Sequence, residues 1–418
     1  MFDIKFIHEH PEFVQQSAKN KKVDIDVAHI LKIDKKKTEL QKILQALQEE
    51  RNAFTKSIAG KPTDEQMVKG KAIREKLEKE ESAFNAVKEE LEQWLLKIPN
   101  PAKEDVKVGK DESENEVMKT VGEPTKFTFT PKDHLELGEL LDIIDVKKAA
   151  QVSGARFYYL KNDGALLEFA LRQFAFDTLI AQGFIPIVPP VMIKKDIMEG
   201  LGYTQIGDKE EIYSIEDEDL YLVGTAEQSI VPYHMNDVLK KEDLPKRYVG
   251  FSTAFRREAG SYGKDTRGIF RVHQFDKTEM VSFVAEAESD AEHEYMLSIE
   301  EKFLQDLGIP YQVIRVCTGD LGFNAARKYD LEAWIPTQQK YREMTSASTV
   351  TDFQSRRLNM RYQDGEEKKF LHVLNGTAFS TRPVVALIEN YQQEDGSVVV
   401  PEVLRRYIGK DIIKPRTT

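Results

Sequence analysis

The rhythm of apolar residues changes once along the chain, and the change divides it. Over about residues 27–98 apolar side chains recur every three or four positions among charged ones. Ile30, Ile33, Leu40, Leu44, Leu47, Phe54 and Ile58 form one stripe, and Ile73, Leu77, Phe84, Val87, Leu91 and Trp94 a second. That is the helical period, and a stripe this narrow is the seam of a coiled coil. Lys37 and Arg51 interrupt the first stripe and Glu80 the second. Between them residues 60–64, GKPTD, carry turn chemistry, with Thr63 or Asp64 placed to cap the second helix. Two helices of roughly 30 residues, each about 45 Å long, predict an antiparallel hairpin that Pro99 and Pro101 end. Such a seam buries each helix against its partner and little else, so the hairpin is expected to project as an arm.

Residues 101–124, rich in Asp, Glu and Lys, read as an exposed linker. Beyond them the rhythm shortens. Residues 184–188, 212–223, 311–316, 328–334 and 369–374 predict strands, and residues 166–182, 286–307 and 383–391 predict helices. Strands in succession with few helical crossovers favour an antiparallel sheet over a doubly wound parallel one. The expected fold class is therefore α+β, with an arm domain at 1–100, a linker at 101–124 and a second domain at 125–418.

Charge refines this division. The 418 residues carry a formal charge of −11, which argues against a chain that coats nucleic acid. Residues 1–100, however, hold 19 basic against 18 acidic side chains, so the deficit lies in the rest. The arm is far less repulsive to a polyanion. Cys317, the single cysteine, rules out an internal disulfide and predicts a buried thiol in a reducing compartment. No basic stretch precedes an apolar one at the N-terminus, the first 50 residues lack arginine, and no apolar run is long enough to span a bilayer. These features predict a cytoplasmic protein with no membrane partner.

Three nucleotide-binding signatures are absent: the P-loop, a G-x-G-x-x-G after a strand, and the paired motifs of class I synthetases. The informative stretch is residues 255–268, FRREAGSYGKDTRG, followed by residues 270–280, FRVHQFDKTEM. It predicts a strand ending in Arg256 and Glu258, a glycine-rich loop with the basic pair Lys264 and Arg267, and a returning strand. Arginine grips phosphate bidentately, a glutamate two residues along points the same way, and Phe275 offers a purine a stacking face. An isolated Arg-x-Glu is ordinarily a surface hairpin with salt bridges, so context decides.

That context resembles motif 2 of class II aminoacyl-tRNA synthetases, and closely the seryl-tRNA synthetase family's version, FR-x-EAGS-x-G-x-DTRG then HQF-x-K-x-EM. The resemblance implies that Arg256 holds the ATP α-phosphate, with Arg257 beside it. Glu258 would meet the adenine amino group, Val272 and Phe275 the ring, and Glu279 the substrate serine. Thr225-Ala226-Glu227, about 30 residues earlier, matches the family's T-x-E segment for serine; a short strand with hydroxyl and carboxylate on one face suits an α-amino acid, whose ammonium needs a buried anion. Glu343-Met344-Thr345-Ser346 resembles an ATP-contacting element whose Glu343 and Ser346 would face Mg2+, a cation that prefers hard oxygens and substrate phosphates. Residues 374–382, LNGTAFSTR, resemble motif 3, one residue shorter than the family's usual N-G-S-G-L-A-V-G-R. By that match Arg382 neutralises the γ-phosphate, and Asn375 and Thr377 contact the serine side chain.

Residues 183–191, GFIPIVPPV, resemble motif 1, whose proline lies at the family's homodimer interface. The hairpin resembles the family's arm for the long variable arm of tRNA(Ser). Lys35, Lys36, Lys37, Lys56, Lys61, Lys69, Lys71, Arg74, Lys76 and Lys79 are its candidate phosphate contacts, predicting salt-sensitive binding. The implied protein is an ATP-dependent ligase that makes seryl-adenylate with Arg256, Glu343 and Arg382 as catalytic residues. It would load serine onto the 3′ end of tRNA(Ser), with tRNA(Sec) as a further candidate. Two other classes stand beside it: a paralogue that loads a carrier protein, which predicts a lost arm, and an inactive regulator, which predicts damage in motif 2 or at Glu343.

Overall fold

A computed structural model describes residues 3–58, 60–204, 209–259 and 267–416. The chain divides into two units, residues 1–101 and 102–418. In the first, two short helices, Ile4–Glu9 and Pro11–Asn20, precede the long helices α1 (Val27–Ser57) and α2 (Asp64–Leu96). Asp26 caps α1 by accepting the His29 N–H at 2.9 Å. Thr63 caps α2 reciprocally: its Oγ1 accepts the Gln66 N–H at 3.2 Å, and Gln66 Oε1 accepts the Thr63 N–H at 2.9 Å. Both ends are set by local sequence.

The α1–α2 seam follows the apolar stripes. Ile30 and Ile33 meet Val87, Leu91 and Leu95 near the helix ends, joined there by Ile7, Val14 and Ala18 of the short helices. Farther along, Leu44 packs with Ile73 and Leu77, flanked by Phe54 and Phe84. Trp94 is only half-buried, its indole edge-on to His29 and under Lys97, and Leu95 takes the inner position. Lys37, an interruption in the stripe, is explained by its ion pair with the buried Asp34 at 2.8 Å.

The second unit is built, among the described residues, on one eight-stranded sheet. Its strands are β1 (Glu116–Val121), β2 (Ile185–Ile187), β3 (Lys246–Phe255), β4 (Gln274–Val284), β5 (Tyr311–Arg315), β6 (Arg327–Ile335), β7 (Lys340–Thr351) and β8 (His372–Ser380). The order is β1-β5-β6-β7-β8-β4-β3-β2, antiparallel throughout except that β2 lies parallel to β3. The α+β expectation is borne out. Helices α3 (Asp163–Ala181), α4 (Ser289–Asp306) and α5 (Arg382–Asn390) share one core with the sheet, where Phe174, Phe303 and Phe379 stack with centroids 4.8–6.1 Å apart. Burying each such ring contributes about 1.5–3 kcal/mol.

Alternation along β4 gives the sheet two functions. Met280 and Val284 face this helical core, whereas Val281 and Phe283 face a second cluster with Tyr248 and Val373. Glu279, in phase with Val281, lies on the second face, and so do Asn375 and Thr377 of β8, in phase with Val373. No helix among the described residues is long and apolar enough to cross a membrane.

Three segments differ from expectation. Residues 101–124 are not all linker: β1 pairs with β5 at the sheet edge, where a charge-rich strand is tolerated because one side of its backbone faces water. Within residues 212–223 only Leu220–Leu222 is a strand. Residues 369–374 straddle two strands, Glu367–Phe370 and β8, broken at Leu371.

Candidate active site

The open ends of β3, β4, β7 and β8 surround two joined cavities. One, of about 720 Å³ and open to solvent, is walled by Ile269, Phe270, Val272, Phe275, Met344, Thr345 and Thr381. The other, of about 1500 Å³, reaches Tyr203, Thr225, Glu227 and Asn375. Arg256, Glu258, Lys277, Lys328, Glu343, Ser346 and Arg382 line both.

A buried carboxylate pair lies at the larger cavity: Glu227 lines it, whereas Glu279 lines neither cavity and sits behind Thr225, Thr377 and Lys277. Glu279, 1% exposed, accepts from Thr225 Oγ1 at 3.1 Å and Thr377 Oγ1 at 3.2 Å, and is ion-paired with Lys277. Glu227 accepts from the Tyr203 hydroxyl through both carboxylate oxygens, each at 2.9 Å, and from Gln354 Nε2 at 3.3 Å. Burial first, and the Glu279 charge second, push the Glu227 carboxyl up to about 7. Two carboxylates face one lysine here, which leaves a place for one more cation.

The smaller cavity is cationic at its inner end. Arg256 Nε donates to the Gly224 carbonyl at 3.2 Å, and its guanidinium lies 5.3 Å from the Phe275 ring centroid. Arg382, the first residue of α5, donates through one terminal nitrogen to Glu343 Oε2 at 2.9 Å and through Nε to the Phe270 carbonyl at 3.4 Å. Burial works to raise the Glu343 carboxyl, but Arg382, Lys328 and Arg256 outweigh it and hold it well below the usual carboxylate range. With its side chain 41% exposed to the cavity, that attraction is partly screened.

Two bulges make this geometry. In β7 the pairing with β6 passes from Thr345 to Glu343, skipping Met344. Strict alternation would put Glu343 and Ser346 on opposite faces; the extra residue returns both to the cavity while Met344 enters the core. In β8 the pairing skips Ala378, so Ala378 and Phe379 both face the helical core and the chain still delivers Arg382 to the cavity despite the shortened motif.

Most residues singled out in the sequence meet here, with three corrections. Thr225-Ala226-Glu227 is a bend entering the short helix Glu227–Ile230, not a strand, and Ala226 is packed into the second core cluster, lining neither cavity. Arg257 is exposed and lines neither cavity, since consecutive side chains diverge at the end of β3. Glu258 is not two strand positions beyond Arg256: β3 ends at Phe255, and Glu258, with φ 51°, turns its carboxylate to Arg271 at 3.1 Å. Lys264 lies outside the described residues. Sequence reasoning passed over Lys277, Tyr203, Gln354 and Lys328. Lys277 and Lys328 fall inside stretches already noted, and only their neighbours' buried charge gives them away.

Comparison with known proteins fits this arrangement. The family described as tRNA synthetase class II core domain (G, H, P, S and T) matches residues 211–391, and the family described as Seryl-tRNA synthetase N-terminal domain matches residues 1–102. A serine–tRNA ligase of Acidothermus cellulolyticus is 46% identical, with 100% of each chain covered, and one of Dictyoglomus thermophilum is 43% identical at the same coverage. The crystal structure of seryl-tRNA synthetase from Pyrococcus horikoshii complexed with ATP superposes with a TM-score of 0.92 at 41% identity, covering 100% of both chains. A prolyl-tRNA synthetase of Giardia lamblia, 16% identical, shares the fold over 64% of this chain and 53% of its own, with a TM-score of 0.57. The fold and the site thus define a class II aminoacyl-tRNA synthetase. Within that class the chain belongs to the seryl-tRNA synthetase family, and it is an ATP-dependent ligase.

Proposed function

We propose that the two cavities divide the work of activating serine. The larger one takes the amino acid, with its ammonium beside Glu227, where the buried charge of Glu279 adds to the attraction, and its hydroxyl toward Asn375, two residues along β8 from Thr377 of the smaller cavity. The smaller one takes ATP, with the purine stacked on Phe275 against Val272 and its amino group toward Glu258. Arg256 meets the α-phosphate and Arg382 the terminal one. One observation carries the reading: an anionic pocket with room for one cation opens, through walls both cavities share, onto a cationic floor.

Serine's carboxylate attacks the α-phosphorus, pyrophosphate leaves, and Arg256 meets the charge that develops. The terminal ribose hydroxyl of tRNA then attacks the seryl carbonyl, the acyl–phosphate bond breaks, and AMP leaves as the hydroxyl proton is released. No protein nucleophile is needed, so positioning and electrostatics supply the acceleration. The donors fit a magnesium ion only in part: Glu343 and Ser346 offer two hard oxygens, and among the described residues no cluster of three His, Cys, Asp or Glu side chains is placed to hold a metal. Glu343 and Ser346 would hold Mg2+ jointly with ATP phosphates, whose charge it would neutralise.

The arm serves tRNA(Ser), with tRNA(Sec) a further candidate, in the cytoplasm. A homodimer completes the reading. α3 buries Leu167, Leu171 and Phe174 yet leaves Leu166, Phe169 and Ile180 exposed, and Ile185, Val188 and Met192 extend that apolar surface. Sedimentation equilibrium checks this, with a monomer at micromolar concentration as the contrary result. The activation chemistry is checked by serine-dependent ATP–pyrophosphate exchange without tRNA, with threonine, alanine and glycine in parallel. Exchange with serine alone supports the assignment; none with any of them overturns it.

A further inference from the structure

One buried polar cluster lies behind the wall formed by Ile269 and Phe270 and is used by none of the steps above. His134, 5% exposed, has its backbone N–H and its Nδ1 at 3.0 and 2.9 Å from Glu389 Oε1. The other carboxylate oxygen of Glu389, a residue of α5, accepts from Thr337 Oγ1 at 2.6 Å. A carboxylate only accepts, so the proton sits on Nδ1 and Nε2 is left as an acceptor. Nε2 accepts the Ile269 N–H at 3.3 Å.

The backbone passes directly over this ring. Gly268 has φ 100°, and a Cβ built there would lie 2.3 Å from His134 Nε2. Phe270 packs edge-on against the imidazole with centroids 5.7 Å apart, and Arg342 lies 4.6 Å from the Phe270 centroid. The Phe270 carbonyl is the one that accepts from Arg382 Nε. One imidazole therefore ties the far end of α5 to the segment against which the first residue of α5 leans.

We propose that His134 is a positioning residue for the nucleotide: by accepting the Ile269 N–H it fixes the cavity wall and the Phe270 carbonyl that aims Arg382. This rests on the reading of the smaller cavity as the ATP site. Without the acceptor a buried amide is left unsatisfied, and the wall must shift to hydrate it.

Two substitutions separate the two halves of the ring. His134→Asn keeps a donor where Nδ1 sits and loses the Nε2 acceptor, whereas His134→Gln places a carbonyl where Nε2 sits. In pyrophosphate exchange, His134→Asn is expected to raise the KM for ATP about tenfold with the serine KM within about twofold, and His134→Gln to recover most of the loss. Gly268→Ala, which drives a methyl into the imidazole from the other side, should give the same ATP-specific signature. Equal defects in His134→Asn and His134→Gln, a fall in kcat with both KM values unchanged, or a normal ATP KM in Gly268→Ala overturns the proposal alone. A wild-type chain without exchange overturns the ATP reading and this proposal with it.

Discussion

The two units use polar side chains in opposite ways. In the arm, most charge lies outside the seam; Lys21 and Asp34 are the buried charged side chains among its described residues, and Asp34 is met at once by Lys37 at 2.8 Å and by His8 at 2.9 Å. In the synthetase unit, Thr225, Glu227, Glu279, Asn375 and Thr377 are all buried on one face of the sheet, and their carboxylates outnumber their cations. The arm spends its polar residues on solubility and electrostatics, so its lysines can be exchanged one at a time. The site holds buried charge whose stability depends on the partners around it. Function in the arm is distributed; in the site it is concentrated.

The largest effect that would sharpen this contrast is the loss of one site cation. Arg256→Ala should lower kcat for adenylate formation by about 10³-fold, since a preorganised charge at the reacting phosphate is removed. Near-normal exchange would take Arg256 out of the mechanism. Next comes the arm as a whole: replacing residues 30–95 by a short Gly-Ser turn should cut tRNA charging by about 100-fold and leave pyrophosphate exchange unchanged, with the residual charging losing its salt dependence. Equal loss of both activities would show that the arm supports the site's fold, and the contrast would collapse.

A smaller effect tests the uncompensated carboxylate. Because burial and Glu279 push Glu227 up to about 7, the folded protein keeps a proton that the unfolded chain has already released at its ordinary carboxylate value. Stability of the free enzyme should therefore fall as pH rises across that window, up to about 7, and then level off. Serine's ammonium favours the ionised form, so the serine KM should fall about tenfold between about pH 6 and about pH 8, with the ATP KM flat by comparison. Glu227→Gln should flatten the serine profile; a profile that keeps its slope assigns the titration to another group.

How much of this was legible in sequence also differs between the units. Arm helices declare themselves because period and burial coincide: Ile30, Ile33, Leu44, Ile73, Leu77, Val87 and Leu91 were read from spacing and are all buried. Site strands were harder, because bulges at Met344 and Ala378 break the parity on which strand reading depends. Motif resemblance found Glu343, Ser346 and Arg382, but only the bulges explain how they face one cavity. Glu227 was assigned to a strand because a three-residue window cannot distinguish a strand from the first turn of a helix. His134 and Glu389 are 255 residues apart and have no local signature at all.

The smallest effect lies at the arm's turn, and it bears on whether the arm's stability is as distributed as its charge. Thr63 and Gln66 cap α2 reciprocally, and among the described residues next to the turn the caps are local, with seam contacts beginning only at Phe54 and Ile73. Thr63→Ala should cost about 1 kcal/mol at that helix end, because the Gln66 N–H loses the Thr63 hydroxyl and exchanges it for water. Such a loss is felt where a helix frays, so amide hydrogen exchange over residues 64–67 should accelerate about fivefold. Protection along the seam at Leu77 and Leu91 should be unchanged, as should pyrophosphate exchange. If protection at Leu91 falls along with that at the cap, α2 opens as one cooperative unit nucleated at the turn. The arm would then resemble the site, with a single polar contact holding a whole element in place.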